Sequence, residues 1–181
     1  MIESNKKVMG IVVFLLTATM LVAPAMATPA TKIEGVTATT LESTRTSVFT
    51  IVDHSIVQVR HGEAIGMVTI NIPGQNPLIG TVYREFKGTF KLGHGPPGPF
   101  LEAEGIETGQ LVFSFTGEGT TGTFKGVEYT KMIGFPVEFV SYMNTRLELH
   151  GTGDFLGQTL KLSFEGTPPP IAWEGYLLIP K

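Results

Sequence analysis

Along residues 28–181 apolar positions recur every second residue, and glycine or proline interrupts each run. Period 2 is the mark of a strand whose successive side chains face opposite sides, and no stretch carries the 3.6-residue period of an amphipathic helix. The longest run, from Val137 to His150, sets Val137, Phe139, Ser141, Met143, Thr145, Leu147 and Leu149 on one face. Glu138, Val140, Tyr142, Asn144, Arg146, Glu148 and His150 occupy the other. A strand that long and polar on one side belongs to a sheet with one dry and one wet face. Leu111, Phe113 and Phe115 behave alike, as do Leu160, Leu162 and Phe164, and Val82, Phe86, Phe90 and Leu92. Val48 to Val52, Ile56 to His61, Ala64 to Ile72 and Ile171 to Ile179 complete a set of about eight strands.

The breaks have chemical causes. Residues 71–77 and 93–99 and the Pro168-Pro169-Pro170 run are rich in proline, which has no N–H to give a ladder. About eight long antiparallel strands leave two exposed edges, and closure into a barrel removes them. The pattern therefore predicts an all-β fold, a single antiparallel β-barrel over residues 41–181 behind a flexible lead-in at 28–40. A two-sheet sandwich is the alternative.

A glycine-flanked aromatic pattern recurs within this alternation. Gly119-Thr120-Thr121-Gly122-Thr123-Phe124-Lys125-Gly126 is echoed 31 residues later by Gly151-Thr152-Gly153-Asp154-Phe155-Leu156-Gly157, with a looser copy at Phe86-Lys87-Gly88-Thr89-Phe90. Glycine allows tight reversal and an aromatic ring offers a large apolar plug. The His150 to Gln158 segment resembles the G-x-G-x-F-x-G hairpin of allene oxide cyclase-like barrels, and dirigent proteins are similar. The resemblance covers about a third of the chain after residue 27. It implies an eight-stranded barrel with an apolar interior, often dimeric or trimeric, whose members in some cases cyclise or couple small hydrophobic substrates. No catalytic residue of those enzymes has a matching position here.

The beginning of the chain changes the expected location. Lys6 and Lys7 precede the uncharged, mainly apolar run Val8 to Ala23, and Ala25-Met26-Ala27 offers small residues at a cleavage site. Residues 1–27 are thus expected to be a signal peptide, placing the protein in a secreted or extracytoplasmic setting with no membrane span after its removal. Retention as an anchor is the alternative. The net charge of −3 comes with no basic cluster, which argues against nucleic acid as a partner. Cysteine is absent, so neither a disulfide framework nor an acylated cysteine can contribute.

Candidate chemistry is sparse. Asp53-His54-Ser55 holds the letters of a hydrolytic triad, but neighbours on a strand point apart and cannot converge, so the segment reads as a turn. His54, His61, His94 and His150 lack the spacing of a metal site, and no metal or cofactor is expected. Glu102, Glu104 and Glu107 are acidic neighbours that do acid–base work only if buried in unlike environments. Trp173 shares the phase of Ile171, Leu177 and Ile179 and reads as core. Arg84 stands apart as the charge within the apolar phase of Val82, Phe86 and Phe90. A buried guanidinium needs a partner, and Asp53 continues the phase of Phe49 and Ile51. Arg84 and Asp53 are therefore the candidate ligand-binding residues, Arg84 at a barrel mouth holding a ligand's carboxylate or carbonyl. The alternative is a structural ion pair, or an arginine whose head reaches solvent. The functional expectation is an exported barrel, more readily non-enzymatic than enzymatic, that binds a small apolar ligand or has a structural or interaction role. An isomerase or cyclase of the allene oxide cyclase type and an oligomeric cell-surface interaction protein are the alternatives.

Overall fold

The computed structural model describes residues 29–53, 55–93, 103–117, 119–135, 139–167 and 171–181. The segment read as a signal peptide lies outside them. Eight strands follow one another without a helix among the described residues: β1 Thr31–Asp53, β2 Ile56–Asn71, β3 Leu78–Leu92, β4 Ala103–Gly117, β5 Thr120–Phe135, β6 Phe139–Gly153, β7 Thr159–Gly166 and β8 Ile171–Ile179. Each pairs antiparallel with its successor, and β8 returns to β1, so the sheet is one closed barrel and not a sandwich. Neighbours in sequence are neighbours in space throughout, the arrangement short connections favour.

Two expectations need correction. Residues 31–40, read as part of a flexible lead-in, form the start of β1 and close the barrel, with Thr31 opposite Ile179 and Thr40 opposite Ile171. Their alternation is hidden in sequence because threonines share both faces; Val36, Ala38 and Thr40 are the buried ones. Second, the two runs Ile56 to His61 and Ala64 to Ile72 are one strand. Between Val59 and Gly62 the register against β3 shifts, which moves the inward phase from Val57 and Val59 to Ala64, Val68 and Ile70. A bulge resets a phase without ending a strand.

Eight strands enclose a space just wide enough for side chains to fill, and here they fill it. Phe86, Phe90, Phe113, Phe115, Phe124 and Trp173 all project inward and are buried. Glycines make room for the rings. Phe86 lies between Gly62 and Gly109 on the adjacent strands, and a Cβ on Gly62 would stand 2.3 Å from its ring. Phe90 lies opposite Gly105, whose Cβ would also come within 2.3 Å of the ring. An aromatic ring laid over a cross-strand glycine covers the backbone that glycine leaves bare.

The repeated motif acquires a structural meaning. Gly122 and Gly153, the aligned glycines of its two copies, are direct cross-strand partners on β5 and β6, and Phe124 faces Gly151. After β6 the turn through Gly153 (φ 62°) and Gly157 (φ 82°) sends Phe155 back inside. Its ring stacks on Phe124 at 4.6 Å and meets Phe115 edge-on at 5.6 Å. Asp154 clamps the turn to β5, its Oδ2 accepting from Thr121 N at 2.7 Å while its own N–H donates to Thr121 O. The two copies resemble each other because they build one plugged corner from two adjacent strands.

Candidate functional site

Three consecutive strands each carry one charge on the inward phase. Arg84 follows Val82 on β3, Glu107 precedes Leu111 and Phe113 on β4, and Glu128 follows Phe124 on β5. Arg84 is 3% exposed, Glu107 1% and Glu128 2%. Glycine again provides space, since Glu107 lies opposite Gly88 and Glu128 opposite Gly109.

The three side chains form one ion cluster. Arg84 Nε donates to Glu128 Oε2 at 2.5 Å and Arg84 Nη2 to Glu128 Oε1 at 2.7 Å, a bidentate pair. Arg84 Nη2 also donates to Glu107 Oε1. Thr130 Oγ1 donates to Glu128 Oε1 at 2.7 Å, and Thr130 and Thr145 share a hydrogen bond of 2.9 Å. β1 completes the group from a more exposed position. Arg45 Nη2 reaches Glu107 Oε2 at 3.4 Å, and Glu42 Oε1 lies 3.6 Å from Arg84 Nη1. Arg84 Nη1 is itself buried without a hydrogen bond. Both guanidinium groups sit over the Phe86 ring, at 4.5 Å for Arg45 and 4.7 Å for Arg84.

Two guanidinium groups thus meet three carboxylates, and the formal sum is one negative charge. Burial by itself would lower the Arg84 pKa, but the Glu128 and Glu107 carboxylates outweigh it and hold the arginine firmly protonated. Burial raises the Glu107 pKa, only partly offset by Arg84 and Arg45.

Asp53 does not join this cluster. Arg84 lies in one cross-strand row with Ala64 and Arg45, whereas Asp53 is opposite Ile56 at the end of β1, eight residues beyond Arg45. That is about 26 Å of extended strand. Asp53 Oδ1 instead accepts from Ser55 N at 2.6 Å and Ser55 Oγ at 2.8 Å, turning the chain from β1 to β2. The phase argument fails because the register shifts between Ile51 and Asp53, and because shared phase says nothing of distance along the strand. The partners that sequence reasoning missed were visible in phase: Glu107 is four residues before Leu111, and Glu128 four after Phe124.

The remaining candidates lie elsewhere. Glu104 is exposed and paired with Lys131 at 2.9 Å. His61 is exposed between Glu63 and Glu85, and His150 faces Thr159. Trp173 is core, edge-on to Phe164 at 5.9 Å, with its Nε1 donating to Thr40 Oγ1 at 3.4 Å. His54, His94 and Glu102 lie outside the described residues.

Next to the cluster the barrel wall changes. β8 leaves β1 at Thr40, yet β1 runs on to Asp53. From Leu41 to Val52, β1 is laddered to β2 alone among the described residues. Phe49 and Ile51 are on the same side of the sheet as the buried Val59 and Val57, their partners on β2, but are themselves exposed. This is where Glu42 and Arg45 connect the buried charges to the surface.

Fold and site together define a closed eight-stranded antiparallel barrel with a filled aromatic interior and an internally neutralised arginine. No family model, no curated protein and no solved structure matches the chain.

Proposed function

We propose that this is an exported, non-enzymatic β-barrel whose work is done by its outer surface as a structural or interaction module. The observation that carries the reading is the occupied interior. Phe86, Phe113, Phe115, Phe124 and Trp173 take the volume a small apolar ligand would need, and Phe155 plugs the corner beside Phe115 and Phe124. Arg84, the side chain best suited to hold a ligand's carboxylate, already spends its charge on Glu107 and Glu128. The outer face supports the same reading. It carries Lys87, Glu104, Lys125, Lys131, Glu148 and Glu174 in strand positions, charges that suit water and not lipid.

Native mass spectrometry of the protein purified from its exported form tests this, together with uptake of a lipophilic dye. The expected result is the bare polypeptide mass, or whole multiples of it, and no dye uptake. A mass excess that vanishes on denaturation would overturn the reading.

One observation favours a second reading. Glu107 is a buried carboxyl with a raised pKa between two guanidinium groups that lie over Phe86, the kind of environment used for acid–base work on an apolar substrate. The isomerase or cyclase alternative would use it. A bound small molecule in the same spectrum, displaced by Glu107→Gln, is the result that would favour this alternative.

A further inference from the structure

The stretch of β1 that, among the described residues, is laddered on one side only is self-complementary. Val48-Phe49-Thr50-Ile51-Val52 has the same apolar and polar order from either end, with Thr50 at its centre. Val48 is 62% exposed, Phe49 48%, Ile51 66% and Val52 53%. Adjacent strand residues face opposite sides, so this means that both faces of the strand are uncovered. Edge strands in natural proteins are normally blunted by charge or proline, because their free N–H and C=O groups template pairing. These five residues contain neither. The shift at Val48/Phe49 skips Arg60 on β2, so β1 itself runs unbroken from Thr44 to Ile51, and the next shift skips Val52 on β1.

We propose that this edge binds a second copy of the same chain, β1 lying antiparallel to the partner's β1 about a two-fold axis at Thr50. The inference deepens the interaction reading above and rests on it. In this register Phe49 faces the partner's Ile51 and the two Thr50 hydroxyls meet. Aromatic with β-branched and threonine with threonine are favourable cross-strand pairs. The paired stretch Phe49 to Ile51 carries no charge, so no like charges are opposed. A two-fold contact also consumes the edge on both copies, producing a closed dimer and not a fibre. The palindrome selects the occupant, since a foreign peptide would not require one.

The test is sedimentation equilibrium of the exported protein across a concentration series, with native and variant edges. The native protein is expected to be a dimer. Phe49→Lys with Ile51→Lys opposes like charges twice at the axis and should raise the dissociation constant by more than about 100-fold. Phe49→Lys with Ile51→Glu opposes unlike charges in this register and no other antiparallel one centred elsewhere, and should restore the dimer. All these positions are exposed, so circular dichroism and melting temperature should show the variants folded. A native monomer at every concentration overturns the proposal, as does an oligomer indifferent to both double variants. The two readings fail separately: a ligand mass excess sinks the filled interior, whereas a clean monomeric mass sinks only the edge pairing.

Discussion

Arg84 shows how much a single buried charge demands of its surroundings. Its Nε and Nη2 donors are met by carboxylates on β4 and β5, while Nη1 has only the Glu42 carboxylate of β1 within ion-pair reach, and a phenylalanine face lies beneath. Arg84→Ala would leave Glu107 and Glu128 buried together without their cation, and should cost about 3–5 kcal/mol in urea unfolding. Replacing the cluster whole, with Arg84→Met, Glu107→Leu and Glu128→Leu, should be neutral or stabilising by about 1–4 kcal/mol, because desolvation of the ions then disappears. If that variant also keeps the native oligomeric state, the cluster has only a structural role. The raised pKa of Glu107 supplies a second prediction. Its pKa is raised above the ordinary 4.5, so the folded state binds the proton more tightly than the unfolded chain. Stability from this group is full below 4.5 and is lost as pH rises through the raised value. Glu107→Gln should abolish that decline. Glu104, hydrogen-bonded to Lys131, and Glu148, hydrogen-bonded to Lys161, are held below the ordinary value and contribute the opposite slope. They are common to both proteins, so the difference between the two urea-derived stability curves isolates Glu107.

At the scale of elements, the barrel's shape is written in where glycine faces aromatic or backbone. Gly126 on β5 would place a Cβ 1.9 Å from Glu148 O on β6, closer than any neighbour tolerates. Gly126→Ala should therefore cost about 1–3 kcal/mol of thermal stability through forced strand separation. Gly74, in the β2–β3 turn, has nothing within 4 Å of its added Cβ, although its φ of 80° disfavours other residues. Gly74→Ala should cost only about 1–2 kcal/mol, from backbone strain alone. Removing the plug is a different injury. Phe155→Ala leaves Phe115 and Phe124 facing a void at the corner and should cost about 3–5 kcal/mol. The alternation of apolar and polar residues made most strands legible, because period 2 survives wherever one face is dry. Two features stayed hidden for definite reasons. Residues 31–40 are rich in threonine, which suits either face, and the shift near Gly62 swaps the inward phase within one strand.

For the whole molecule, closure is the decisive event. The β1–β8 ladder spans Thr31 to Thr40, and without it the meander has two long free edges. Deleting residues 31–40 should abolish the cooperative unfolding transition seen by circular dichroism, whereas a true lead-in would be dispensable. What the chain determined by itself was local: strand-forming alternation, turn chemistry, and the glycine–aromatic repeat whose two copies become neighbours. The charge cluster was half legible, since Arg84, Glu107 and Glu128 each lie in an apolar phase of their own strand. That they meet, and that Asp53 does not, was decided only by register, which shifts at each bulge and fixes which residues share a row. The same holds for the edge at Val48 to Val52. Its palindrome is in the sequence, but its exposure follows from the β1–β8 ladder reaching, among the described residues, only as far as Thr40, a fact of tertiary pairing alone.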